Sequence, residues 1–429
     1  MDILLQKREK MTKKALKVAI THHYLLSLGG SERVIEALAQ IYPQADFFVL
    51  FAEEEFIPEK LKGRHITTSS LDRIPGARRI YRHLLPLYPL AVESLDLSGY
   101  DLILSADGAA TKGVLTDQGA VHLCYCHSPS RSFWDQYCSQ RKAMPWLART
   151  AFAPISQYMR MWDFAAAQRI DGFMANSRYV SDRIWKYYRR ASTVIYPPVD
   201  TASAYVASKH DEYYLSAGRL IADKRVDVLI EACNRLRRRL RILGNGPEEG
   251  ALRAMAGPTI EFGGRVGESE LRDHYSHCRA LLFAAEEDFG LVSVEAQAFG
   301  RPVIAYGRGG SLETVVGLPG GELSPGRPMF PNFATGVFFE EQNADSLAAA
   351  ITRFESMEEC FDPRRIRRHA FQFDTRVFAD KVRRYVQDAL DERTSGVPAG
   401  EVYRVAHDEI RRSIHSKNLP VVTVSISGP

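Results

Sequence analysis

The sequence predicts an α/β protein built from two doubly wound domains that face each other across one cleft. Three observations carry this. Short apolar runs alternate with amphipathic helical stretches in both halves of the chain, the second half repeats the strand–helix order of the first, and the paired prolines Pro197-Pro198 stand between them. Ligands of such sheets gather at the carboxyl ends of the strands, so two facing sheets make one shared site. The expected units are an extension over 1–16, a first domain over 17–198, a second over 199–374, a closing helix over 375–393 placed to pack back on the first domain, and a tail over 394–429.

The first domain opens on Lys17-Val18-Ala19-Ile20, a strand leading to a loop that contains Gly29-Gly30. A helix follows from Ser31, with Val34, Ile35, Leu38, Ala39 and Ile41 on one face. Runs at 47–51, 102–105 and 122–125 are short, apolar and bounded by turn residues, as strands of a buried parallel sheet are. At Tyr196-Pro197-Pro198-Val199-Asp200 the prolines hold the chain extended. Beyond this linker, strands are expected at 213–217, 240–243, 260–262, 280–284 and 303–305. The last helical stretch is amphipathic through Asp391, and the tail from Thr394 onward is expected to be loosely held.

Composition narrows the class. The 429 residues are 45% hydrophobic and 25% charged, which excludes disordered, collagenous and disulfide-scaffold chains. No run approaches the ~20 apolar residues that cross a bilayer. The apolar stretch after Lys17 is broken at Thr21-His22-His23, short of the roughly 7–15 residues of a secretory core, so a cytoplasmic location is expected. Cys124, Cys126, Cys138, Cys233, Cys278 and Cys360 fit reduced thiols. Residues 1–200 hold 26 Lys and Arg against 20 Asp and Glu, and the remainder 30 against 32. That asymmetry is too small for a nucleic-acid binder, but it turns the first half toward something anionic.

The densest chemical signal is Gly218-Arg219-Leu220 followed by Lys224. A strand ending in glycine brings backbone close to a ligand, and two cations there suit a diphosphate; the plain alternative is a pair of solvated surface charges. Next comes Glu287-Asp288-Phe289-Gly290-Leu291-Val292-Ser293-Val294-Glu295. Gly290 opens a helix whose unpaired N–H groups bind an anion or sugar hydroxyls. Glu295 falls in the apolar body of that helix, where a carboxylate needs donors: a neighbouring Arg, or sugar or ribose hydroxyls. His127 lies just past a strand in Tyr125-Cys126-His127-Ser128-Pro129-Ser130-Arg131. Cys124-x-Cys126-His127 lacks the spacing and the second ligand pair of a zinc site, and Cys124 reads as core. Gly244-Asn245-Gly246 lacks the third glycine of a dinucleotide loop, since Glu249 stands there. From Asp72 to Leu90, Arg73, Arg78, Arg79 and Arg82 mingle with Ile80, Tyr81, Leu84, Leu85 and Leu87. The mixture suits an anionic lipid surface, and equally a basic helix with one buried face.

Gly218-Arg219-Leu220, Lys224, Glu287 to Glu295 and Gly309-Gly310 with Glu313 after it stand in an order that resembles the retaining glycosyltransferases of family 4, which have the GT-B fold of two Rossmann-like domains. The resemblance runs from about Lys17 to Asp391. It implies that Arg219 and Lys224 hold a donor diphosphate, Glu295 the nucleotide ribose, and Glu287 the donor sugar, with Gly218, Phe289, Gly290 and Leu291 nearby. It implies further that Gly29, Gly30 and Ser31 complete the phosphate site and that His127 sits between donor and acceptor. Arg265 and Val266 are the expected contacts of the nucleotide base. Gly29 through Val34, residues 84–90, and His127-Ser128-Pro129 with Trp134-Asp135 resemble bacterial mannosyltransferases of lipopolysaccharide O-antigen and exopolysaccharide assembly. That implies GDP-mannose as donor and a polyprenyl-diphosphate-linked oligosaccharide as acceptor, with His127, Arg131, Trp134 and Asp135 on the acceptor side. It also implies a peripheral place on the inner face of the plasma membrane. No Asp-x-Asp sequence occurs, and a site without metal or cofactor is expected.

Overall fold

The computed structural model describes residues 16–395 apart from 28, 109 and 319–333; the extension before 16 and the tail after 395 lie outside the described residues. Seven parallel strands form the first sheet: β1 (Val18–Leu25), β2 (Asp46–Ala52), β3 (Ile66–Thr68), β4 (Leu102–Asp107), β5 (Val121–Cys126), β6 (Gly172–Ala175) and β7 (Thr193–Val194). Six form the second: β8 (Tyr213–Ala217), β9 (Arg239–Leu243), β10 (Ile260–Gly264), β11 (Ala280–Phe283), β12 (Val303–Tyr306) and β13 (Gly336–Phe339). Their orders are β3-β2-β1-β4-β5-β6-β7 and β10-β9-β8-β11-β12-β13, so each reverses once, at β1/β4 and at β8/β11. Ligands of doubly wound sheets bind outside the strand ends at such a reversal. The loops after β1, β5, β8 and β11 are those that carry the expected site.

β1 is buried along nearly its whole length because helices cover both faces of the sheet. Val18 lies opposite Leu102 and Ala19 opposite Asp46, which fixes the register of the central strands. The expected helix after the glycine loop spans Gly30–Ile41 and buries Val34, Ile35, Leu38 and Ala39. Strands β3, β6, β7 and β13, of two to four residues, are additions to the expected set.

The linker and the return crossing run side by side. The Val199 N–H donates to Phe373 O at 2.9 Å, and the Thr375 N–H to Val199 O at 3.1 Å. The helix Thr375–Ser395 then lays Phe378, Val382, Tyr385 and Val386 into the core of the first sheet. Gly172 permits this, since a Cβ there would meet the Tyr385 hydroxyl at 2.4 Å.

The segment around Arg73–Arg82 differs from the helix that the basic, apolar mixture suggests. It is a series of 3-10 turns, Ser70–Arg73, Ala77–Arg79 and Tyr81–Leu87, before the short helix Tyr88–Glu93. Pro75 and Pro86 withhold N–H donors and Gly76 adopts φ 79°, so no continuous ladder forms. Arg78 is tied to Asp72 and Arg82 to the Tyr81 hydroxyl, while Ile80, Leu87 and Leu90 are exposed. Among the described residues no helix is long and apolar enough to cross a membrane.

Beneath the first sheet's carboxyl edge lies a buried ionic cluster. The Lys112 ammonium sits 2.9 Å from Asp107 and 2.5 Å from Asp163, all three fully enclosed. Burial alone would pull the ammonium down, but the two carboxylates outweigh it and hold its pKa well above the usual lysine range. Thr111 donates to Asp107, and Trp134 and Tyr188 donate to Asp163 at 2.8 Å.

Candidate active site

β8 ends at Ala217, and Gly218 follows with φ 146°. A Cβ at Gly244 would meet Gly218 O at 1.8 Å, and one at Gly246 would meet Leu220 O at 2.2 Å. The Gly244-Asn245-Gly246 loop is therefore glycine-rich so that two backbones can pack, consistent with its failing the dinucleotide pattern. Arg219 is exposed at the strand end. Lys224 closes the 3-10 turn Ala222–Lys224. Both line a recess with Gly218, Phe283, Ala285 and Val292.

In this structure Lys224 is paired with Glu287, so the expected diphosphate ligand and the expected sugar ligand hold each other. Both side chains keep about a quarter of their surface, 29% and 25%, and such a pair is worth only ~0–1 kcal/mol. A doubly charged anion would displace the carboxylate at little expense. Gly290, φ 84°, opens the helix Leu291–Ala298 as expected. The Gly309-Gly310 turn presses on the loop before it, with the Gly310 N–H donating to Glu287 O at 2.8 Å. A Cβ at Gly310 would meet Phe289 Cα at 2.3 Å. We therefore expect Gly310→Val to push that loop aside and lower activity about 10²-fold, as ångström-scale misplacement does; transfer at the wild-type rate would contradict this role.

Glu295 is 8% exposed and already satisfied: Tyr275 donates to it at 2.7 Å, and Arg33 of the first domain pairs with it. Glu295 raises the Arg33 pKa further. Of the two readings of the sequence, this conformation displays the arginine partner, and a ribose would have to replace Arg33. The first-domain glycine loop is likewise occupied. The Gly29 N–H donates to Glu32 Oε2 at 2.8 Å and the Ser31 hydroxyl to the same oxygen at 3.1 Å. A carboxylate thus sits where the reading of Gly29, Gly30 and Ser31 puts phosphate, as the helix N-terminus favours. Gly30 has room only for hydrogen, since a Cβ would meet Leu291 Cδ1 at 2.6 Å. The two glycine-marked helix starts therefore touch across the cleft.

His127 follows β5, its N–H donating to Asp107 O at 2.8 Å and its carbonyl accepting from Asn176 at 2.9 Å. Its Nε2 is buried without a partner. Burial first, then the charge of His22, lowers its pKa to about 4. His122, within β5 and bonded to Ser105, is brought by burial and then Arg169 to about 3. An unfolded histidine takes up its proton near 6.5. The stability owed to His122 is thus fully present above that pH and lost as the pH falls through 6.5 toward 3. We expect urea titrations to show about 3 kcal/mol less stability at pH 4 than at pH 7 from this group, and His122→Gln to flatten the slope. An unchanged slope in the variant would contradict it.

Arg131 crosses the cleft to Glu286 O at 3.3 Å, and Asp135 pairs with Arg183 at 2.8 Å. The Trp134 indole N–H donates to Asp163 of the buried cluster at 2.8 Å, and its ring stacks on Tyr187 at 4.8 Å. Arg265 is exposed just past β10, and Val266 packs on the second-domain core. Cys124 is enclosed in β5, where burial pushes its thiol up, in keeping with the core reading. Among the described residues, the group whose spacing would admit a metal is His22, His23 and Glu32, with donor atoms within 4.8 Å of one another. His22 is bonded through Nδ1 to Ala106 O at 3.2 Å, and its Nε2 lies 3.6 Å from Glu32.

Several cleft contacts escape sequence reading. Glu313 caps the helix Arg178–Tyr188 from the opposite domain, accepting from the Arg178 N–H at 2.8 Å and the Tyr179 N–H at 3.0 Å. Arg183 joins Asp135 to Asp288, 3.0 Å away, and the Tyr179 hydroxyl donates to Glu286 at 2.9 Å. These partners lie more than a hundred residues apart in most cases, and only Glu313, three residues past the Gly-Gly turn, and Asp135, beside Trp134, carry a local marker.

The fold and cleft are those of the GT-B class. Residues 28–203 match the Glycosyltransferase Family 4 model, and residues 201–372 match that of Glycosyl transferases group 1. The chain therefore carries a family 4 glycosyltransferase domain followed by a group 1 glycosyltransferase domain. An uncharacterized glycosyltransferase of Methanocaldococcus jannaschii is 26% identical over 156 residues, 35% of this chain and 44% of that protein, so the match spans under half of the relative's length. HepE of Anabaena, in complex with UDP and glucose, superposes with a TM-score of 0.61 at 15% identity, over 87% of this chain and 100% of that one. Sucrose-phosphate synthase of Thermosynechococcus elongatus gives 0.57 at 17% identity, over 94% and 100%. The lipopolysaccharide outer core galactosyltransferase WaaB gives 0.55 at 16%, over 87% and 99%. These similarities establish the fold.

Proposed function

We propose that the protein is a retaining glycosyltransferase that takes mannose from GDP-mannose and adds it to an oligosaccharide linked to polyprenyl diphosphate, in bacterial surface polysaccharide synthesis. One observation carries the transferase reading: Arg219 and Lys224 stand at the end of β8, on the recess next to Glu287 and the Gly290 helix start. In the reaction the nucleoside diphosphate departs as an oxocarbenium-like centre forms. Arg219 and Lys224 stabilise the charge that appears on the leaving group. The acceptor hydroxyl attacks from the same face, beside the His127 segment, and a diphosphate oxygen takes its proton. Two fixed cations make a metal ion unnecessary in this scheme.

The choice of mannose rests on the sequence resemblance alone. A second donor class, UDP-sugars, is favoured by the UDP and UDP-glucose held by HepE. A third reading, a sugar-nucleotide epimerase or hydrolase on the same fold, needs no acceptor. A panel of radiolabelled GDP- and UDP-sugars, incubated with membranes carrying lipid-linked intermediates, separates the three. Label entering lipid from GDP-mannose supports the proposal, label from a UDP-sugar replaces the donor, and donor consumed without membranes replaces the reaction. Arg73, Arg78, Arg79 and Arg82, with exposed Ile80, Leu87 and Leu90 beside them, are the proposed contact with the anionic membrane surface. Failure of the protein to sediment with those membranes at low salt would remove that part.

A further inference from the structure

Three adjacent strands, β1, β4 and β5, end together at the front wall of the cleft. His23 lies near the end of β1, Gly108 directly follows β4, and His127 directly follows β5. A Cβ on Gly108 would stand 3.7 Å from His23 Cε1 and 3.9 Å from His127 Cβ, so the two side chains flank a floor that bears no side chain of its own. His23 is 8% exposed, and its Nδ1 has no hydrogen-bond partner; His127 Nε2 is in the same state. Buried polar atoms are nearly always paired in native proteins, and each orphan here is an unmet demand for a donor or acceptor. His22, stacked 4.0 Å from His23, is held through Nδ1 by Ala106 O at 3.2 Å, and its Nε2, also without a hydrogen-bond partner, lies 3.6 Å from Glu32 rather than beside Gly108.

From this geometry we propose that His23 is a second sugar-binding imidazole, acting with His127 on hydroxyls of one sugar ring seated over Gly108. Both rings are neutral, His23 because burial disfavours its charge and His22 and His127 add to that. A neutral imidazole donates from one nitrogen and accepts at the other, which matches a hydroxyl that does both. The ring could belong to the donor sugar or to the acceptor sugar; the chemistry is shared. The inference rests on the transferase reading and adds to it a residue to which the family pattern assigns nothing.

The test uses the full chain with His23→Phe and, separately, Gly108→Leu, which fills the floor while leaving both histidines in the sequence. Calorimetry with GDP and UDP, calorimetry with the intact sugar nucleotides, and the acceptor KM in transfer assays are compared. Nucleoside diphosphate affinity should stay within about twofold, whereas one sugar-dependent quantity should weaken about tenfold, the worth of a lost hydrogen bond in a closed site. Loss in the sugar-nucleotide affinity assigns the donor sugar, and loss confined to acceptor KM assigns the acceptor. His23→Asn, which keeps a donor and an acceptor, should recover part of the effect. Wild-type sugar parameters in both variants would overturn the role of His23 while leaving the transferase reading standing. A wild-type protein that binds neither GDP nor UDP would overturn that reading, and this inference with it.

Discussion

Lys224→Ala is expected to lower turnover by roughly 10²–10³-fold while leaving the protein folded. The side chain lies on a 3-10 turn at the mouth of the recess, and its Glu287 partner is itself partly solvated, so folding loses little when the ammonium is removed. Catalysis is different. Charge on the departing diphosphate grows as the glycosidic bond lengthens, and a fixed cation there is worth more in the transition state than in the ground state. Glu287→Ala should fall comparably, through loss of the proposed sugar contact. The check is turnover alongside circular dichroism and thermal unfolding. Wild-type turnover in either folded variant would contradict the assignment.

The largest effect on stability is expected from Lys112→Met. Removing the ammonium leaves Asp107 and Asp163 buried with their charges uncompensated, a change that typically costs about 3–5 kcal/mol. Adding Asp107→Asn to that variant should restore part of the loss, because one buried charge then disappears. Urea titrations of the single and double variants measure both. The consequence reaches the cleft, since Asp163 also anchors the Trp134 indole and Asp107 O receives the His127 N–H. A destabilisation below about 1 kcal/mol would show the cluster to be better solvated than its enclosure indicates.

Legibility differed between levels of the structure. Strands such as β1, β5 and β8, and the four-residue β11 and β12, stand out as buried apolar runs, whereas β3 and β7, of three and two residues, are too short to repeat a pattern. The motifs at Gly218–Lys224 and Glu287–Glu295 come from loops that follow strands, and the fold does bring them side by side. What the sequence could not display was the pairing state: Lys224 with Glu287, Glu295 with Arg33, Gly29 with Glu32. Such partners are chosen by tertiary approach, and hydrophobic spacing carries no trace of it. Trp134 shows the same limit, since its indole serves a buried carboxylate donated by Asp163 from a helix further along the chain. His23 was read only as an interruption of an apolar run, because its unpaired nitrogen and its neighbour His127 emerge only when β1 and β5 are set on either side of β4.

The central claim is that cations of the second domain hold a diphosphate in this cleft. A crystal structure of the protein grown with nucleoside diphosphate in the presence of EDTA tests it most directly. The account predicts diphosphate oxygens within hydrogen-bonding distance of the Arg219 guanidinium and the Lys224 ammonium, with Glu287 released from Lys224. A diphosphate bound elsewhere, or one that binds only when a divalent metal is restored, would contradict it.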